Sequence, residues 1–144
     1  MKRYFVFFLL LTALALPASG QTGLHIAPLF DGTYTRRTNA AEVLMRGRSV
    51  KAYGLTLFRS LSVSGSPADI SRMEQLVRQD ARSAVSKEEA YRGRALYYGF
   101  YQLPARKGLN RYLFFKHPAD GPATLVYMEG HADIREIRRR FMQS

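Results

Sequence analysis

Residues 94–104 read RALYYGFYQLP, and four of the five positions from Tyr97 to Tyr101 are aromatic. Residues 111–117, RYLFFKH, repeat the mixture of rings and positive charge. Such interleaving suits a sheet face that stacks nucleic-acid bases. It equally suits the core strands of a small sheet protein. An RNA-recognition strand wants a basic residue and a glycine ahead of its aromatics, and an aromatic at its end. With Tyr98-Gly99-Phe100 in register, Leu96-Tyr97 fails the first requirement and Leu103 the second. The core reading is therefore preferred. Leu96, Tyr98 and Phe100 are expected on one face, Tyr97 and Tyr101 on the other, with Gly99 at a bulge or a close backbone approach.

Working outward, three strands form a meander at about 94–103, 111–117 and 123–129. Turn-rich PARKGLN and PADGP connect them. Upstream, Leu55, Leu57, Leu61 and Val63 share one parity, with Arg59 out of pattern, so LTLFRSLSV reads as a half-buried strand. Ala41 to Arg46 is a further strand, closed by Gly47. Arg48 to Gly54 reads as one helical turn, capped by Ser49. Ser66-Pro67-Ala68-Asp69 carries an N-cap, an N1 proline and an early acid, so a helix runs to about Ser83. Its stripe is Ile70, Met73, Leu76, Val77 and Ala81, with Arg72, Arg78 and Arg82 on the wetter side. Residues 84–92 fit no single pattern, and residues 21–40 read as a short edge element or a surface segment. Ile134, Ile137 and Phe141 mark a C-terminal helix after Asp133, with Arg138, Arg139 and Arg140 at its cation-favouring end. The expected class is α+β, a mostly antiparallel sheet of about five strands with two helices on one face.

The N-terminus sets the expected compartment. Met1-Lys2-Arg3 is followed by an apolar run from Tyr4 to Leu16, a breaking Pro17 and the small residues Ala18-Ser19-Gly20. That pattern is a secretory signal peptide over residues 1–20, leaving one domain at 21–144. The run of about 13 residues is short for a membrane span, which needs about 20. The protein is expected to be exported, to the periplasm or beyond. An exported location argues against a nucleic-acid partner. No transmembrane segment is expected after cleavage.

The chain holds 22 Lys+Arg against 11 Asp+Glu and no cysteine. Lack of thiols excludes cysteine nucleophiles, disulfides and thiolate metal sites. The basic excess favours anionic glycan or lipid partners. His25, His117 and His131 are isolated, with no zinc-ligand spacing, and no nucleophile elbow or phosphate loop occurs. Neither a cofactor nor a metal is expected.

Three functions are carried forward. The first is a non-enzymatic binding or accessory module of the cell envelope with a protein partner. Its surface would be a sheet face bearing Arg94, Tyr97, Tyr101, Arg111, Tyr112 and Lys116, although the pattern leaves open which tyrosines face outward. The second is binding of an anionic polymer or lipid surface through the arginines of both helices. The third is a hydrolase with His117, His131 and an acid converging in a pocket. The stretches LHIAPLFDG, VLMRGRSVKAYGLTLFRSL, YRGRALYYGFYQLP and LVYMEGHADIREI together resemble a family of small exported Bacteroidota proteins of unknown function. That resemblance implies a Gram-negative envelope or secreted location and transfers no catalytic or binding residue.

Overall fold

The computed structural model describes residues 23–142 except Thr35. The expected leader at 1–20 lies outside the described residues. A short 3-10 turn, Ala27–Phe30, precedes β1 (Ala40–Arg46), α1 (Arg48–Lys51) and β2 (Leu55–Val63). Then come α2 (Pro67–Ala81), β3 (Ser86–Arg92), β4 (Ala95–Arg106), β5 (Leu109–Lys116) and β6 (Ala123–Gly130). The C-terminal helix starts as α3 (Ile134–Ile137) and widens into a π-helical turn, Arg138–Met142. All strand pairings are antiparallel, in the order β1-β2-β6-β5-β4-β3.

Local chemistry explains most boundaries. Ser66 Oγ accepts the Asp69 N–H at the start of α2, with Pro67 in the first turn. Asp133 accepts the Glu136 N–H at the start of α3. Lys107 and Gly108 both have positive φ, 54° and 76°, which suits a two-residue hairpin turn between β4 and β5. The connection is thus tighter than PARKGLN implied. Ser49 does not cap α1; its Oγ donates to the Arg46 carbonyl. The ambiguous 84–92 stretch contains a sixth strand, β3. Its sequence, SKEEAYR, shows no apolar alternation because it is an edge strand, exposed at most positions.

The two helices do not share a face. Met73, Val77 and Ala81 of α2 pack with Leu57, Leu61, Tyr101, Leu103, Leu113 and Phe115. Ile137 packs with Val50, Leu55, Phe100, Tyr112 and Met128. Successive strand residues point to opposite faces, so Tyr101 and Phe100 identify two separate layers. The physical reason is composition. YYGFY, YLFF and LVYM are apolar at both parities, and such strands need cover on both faces. On the first face α2 is joined by Ile26, Leu29 and Phe30. On the second, α1 and the C-terminal helix provide the cover. Register shifts move two residues from their expected faces. One between Leu55 and Leu57 sends Leu55 to the second face. Another between Ala90 and Tyr91 sends Leu96 to the first, away from Tyr98.

The N-terminal segment is part of the fold. Asp80 of α2 is 3% exposed, and its carboxylate accepts the His25 and Ile26 N–H groups at 2.7 and 2.9 Å. Arg59, the residue out of pattern on β2, donates to the Phe30 carbonyl at 2.8 Å and to Glu42 at 3.0 Å. Its guanidinium lies over the Phe30 ring. Replacing Asp80 with Ala strands two backbone donors, so a loss of about 2–4 kcal/mol is expected in urea unfolding. A loss below about 0.5 kcal/mol would show that the segment is not held this way. Gly130 is a second sensitive point, because a Cβ there would strike the Gly54–Leu55 backbone. Gly130→Ala is expected to cost about 3 kcal/mol. An unchanged urea midpoint would contradict the close packing of these strands.

Candidate functional site

The six residues expected on one sheet face are divided by the fold. Tyr101 and Tyr112 are both 0% exposed and lie in opposite layers. Arg111 is buried, with its Nε donating to the Pro104 carbonyl at 2.8 Å. Arg94, Tyr97 and Lys116 are exposed. Arg92 lies over the Tyr97 ring, 5.0 Å from its centroid. A continuous tyrosine face is therefore not available to a partner. The reason is the second layer of helical cover, which closes the face that one-sided packing would have left open.

The tyrosines instead join strands and termini. The Tyr101 ring lies across Gly99, where a Cβ would collide with it. Its hydroxyl donates at 2.7 Å to Glu89, which pairs with Gly99 on the neighbouring strand. Gly99 is thus a close-approach glycine. Tyr127 donates to Glu129 at 2.9 Å, and Tyr112 to the Ala132 carbonyl at 2.7 Å. Burial pushes the Tyr112 phenol up to about 12, with Asp133 and Glu136 adding to the effect. Burial also raises Tyr101 and Tyr127, helped by Glu89 and Glu129 respectively. Below the ordinary tyrosine value of 10.0, folded and unfolded chains hold these protons alike. Above it only the unfolded chain releases them, so stability falls with rising pH. Each phenol contributes a slope of about 1.4 kcal/mol per pH unit. Urea unfolding at a series of alkaline pH values, read with tyrosinate absorbance, is expected to show this decline without prior ionisation of the three. A flat stability from pH 10 to about 12 would contradict their burial.

The histidines do not converge. His117 follows β5, whose Lys116 pairs with Thr124 at the start of β6. His131 follows Gly130 at the other end of β6. About six residues of strand, roughly 20 Å, separate the two levels. The pocket expected from His117, His131 and an acid is not formed. His25 is engaged with Asp80 through Nδ1 at 2.9 Å. Among the described residues no group of three His, Asp or Glu side chains is placed to hold a metal. Two open clefts sit at opposite ends of the sheet. One, of about 690 Å³, lies between the start of α2 and the 117–122 loop. The other, of about 580 Å³, is lined by Arg48, Lys51, Thr56 and His131.

Basic side chains outnumber acidic ones two to one, 22 against 11. Among the described residues, all the acidic side chains but Asp120 and Glu136 accept a hydrogen bond or form an ion pair. Many basic side chains are left at the surface. Among the described residues, Arg48, Lys51, Arg135, Arg139 and Arg140 make no ion pair. The end of α1 and the C-terminal helix are adjacent, because the His131 and Ala132 N–H groups both donate to the Gly54 carbonyl. Arg140 lies over the Tyr53 ring, and Phe141 contacts the rings of Tyr53 and Phe58. Tyr53 and Phe141 are 43% and 37% exposed. Cations and half-exposed rings thus share one surface, beside the cleft at Arg48 and Lys51. The pattern of arginines near the C-terminus was visible in the sequence. Their proximity to α1 was not, since it depends on the long-range contact at Gly54.

These features define an α+β protein with one antiparallel sheet covered on both sides and a cation-rich, aromatic surface. The chain belongs to a family of unknown function, DUF6108, which matches residues 13–141. No curated protein and no solved structure matches it significantly. Among the described residues no helix is long and apolar enough to cross a membrane.

Proposed function

We propose that this is an exported, non-enzymatic accessory module of the cell envelope that docks on an anionic lipid surface. The observation that carries the reading is the surface made by α1 and the C-terminal helix. There, among the described residues, Arg48, Lys51, Arg139 and Arg140 make no ion pair, and the rings of Tyr53 and Phe141 are half-exposed. Cationic side chains near an anionic membrane surface contribute about 1 kcal/mol each. Rings with a wet edge and an apolar body suit the headgroup boundary. The leader-like residues 1–20 support export, and the basic excess supports an anionic partner over a neutral one. The arginines of α2 contribute less. Arg78 is held by Glu74 and the Arg94 carbonyl, and Arg72 reaches the Tyr34 hydroxyl.

Co-sedimentation with phosphatidylglycerol vesicles tests the reading, with phosphatidylcholine vesicles as the neutral control. Binding to the anionic vesicles alone is expected, weakening as the Debye length falls from about 10 Å at 0.1 M salt to about 3 Å at 1 M. Reversing Arg48, Lys51, Arg139 and Arg140 to Glu is expected to abolish it while leaving the thermal melt in place. Binding that ignores both salt and charge reversal would overturn the proposal.

A further inference from the structure

The two edges of the sheet are built differently. β3 carries Lys87, Glu88, Glu89 and Arg92 and is interrupted by a register shift. Charges and bulges of this kind discourage pairing with another chain. β1, at the opposite edge, reads AAEVLMR and pairs with β2 without a shift over all seven residues. It has no proline and no lysine. Val43 and Leu44 are 45% and 50% exposed, one on each face of the strand.

The direction of its free backbone groups follows from one bond. The Ser64 N–H donates to the Asn39 carbonyl, so Asn39 and Ser64 form a hydrogen-bonded pair. Antiparallel ladders alternate bonded and non-bonded pairs. Along the register of β1 and β2, the backbone groups of Ala40, Glu42, Leu44 and Arg46 therefore point away from the sheet. The Ala40 N–H is taken by the Arg37 carbonyl. The Arg46 carbonyl accepts Ser49 Oγ and retains a second lone pair. Among the described residues, nothing pairs with the outward backbone groups of Glu42 and Leu44 in the middle.

We propose that β1 pairs antiparallel with β1 of a second copy about a two-fold axis at Leu44, joining two sheets into one of twelve strands. The charge pattern selects the partner and the register. Centred on Leu44, each Glu42 faces Arg46 of the second copy, and Val43 faces Met45. One step along, a pairing centred on Glu42 would set the two carboxylates against each other. Centring on Val43 would set Glu42 opposite Leu44.

The cysteine-free sequence makes the test clean. In bonded antiparallel pairs the Cα atoms are about 5.5 Å apart, within reach of a disulfide. Single-cysteine variants Leu44→Cys and Val43→Cys of the purified protein would be oxidised and run on denaturing gels. The wild type would be sized by light scattering. A dimeric wild type is expected, with Leu44→Cys joined across the axis and Val43→Cys largely single. Leu44→Lys is expected to be monomeric, still cooperatively folded, and to melt below the wild type at a temperature that no longer depends on protein concentration, and Arg46→Glu to weaken association about tenfold. A monomeric wild type, or crosslinking through Val43→Cys in place of Leu44→Cys, would overturn the proposal.

Discussion

The pairing of β2 with β6 carries the rest of the structure. It joins the N-terminal hairpin to the meander through Val63 and Ala123 at one end and Leu55 and Gly130 at the other. At Gly130 the approach is so close that only a hydrogen fits between β6 and the Gly54–Leu55 backbone. The Gly54 carbonyl then takes the N–H groups of His131 and Ala132. That single acceptor turns the chain out of β6 and sets the C-terminal helix beside α1. Both the second covering layer and the basic surface on it depend on this contact.

A sheet covered on both faces changes what its tyrosines can do. Tyr101, Tyr112 and Tyr127 are fully buried, and each spends its hydroxyl inside the fold. Two of the acceptors are carboxylates, Glu89 and Glu129. Asp80, Glu42 and Glu74 are likewise occupied by backbone donors or arginines. The basic surface follows from the excess of 22 Lys+Arg over 11 Asp+Glu, with Asp80 and Glu129 buried besides.

Much of the fold was legible because its signals are local. Ser66, Pro67 and Asp69 mark the start of α2 within four residues, and the alternation of LTLFRSLSV marks β2. Ile134, Ile137 and Phe141 correctly marked the C-terminal helix. Its side of the sheet was not legible, because an apolar stripe does not say which face it will cover. The same gap misplaced Tyr101 and Tyr112 in an exposed surface. β3 escaped notice because an edge strand needs no buried parity, and SKEEAYR has none. The anchoring of residues 25–26 by Asp80 spans more than fifty positions, beyond any local pattern. Arg59 looked like an exception and proved to be a clasp between β2, Glu42 and the Phe30 carbonyl.

The most direct measurement is a solution NMR map of contacts between the helices and the ring protons of β4 and β5. Ile137 methyl groups are expected to contact the layer of Phe100 and Tyr112, and Val77 methyl groups the layer of Tyr101 and Phe115. Contacts from both helices to the same set of rings would place them on one face. The second sheet face would then be open, and the basic surface beside α1 would not exist as described.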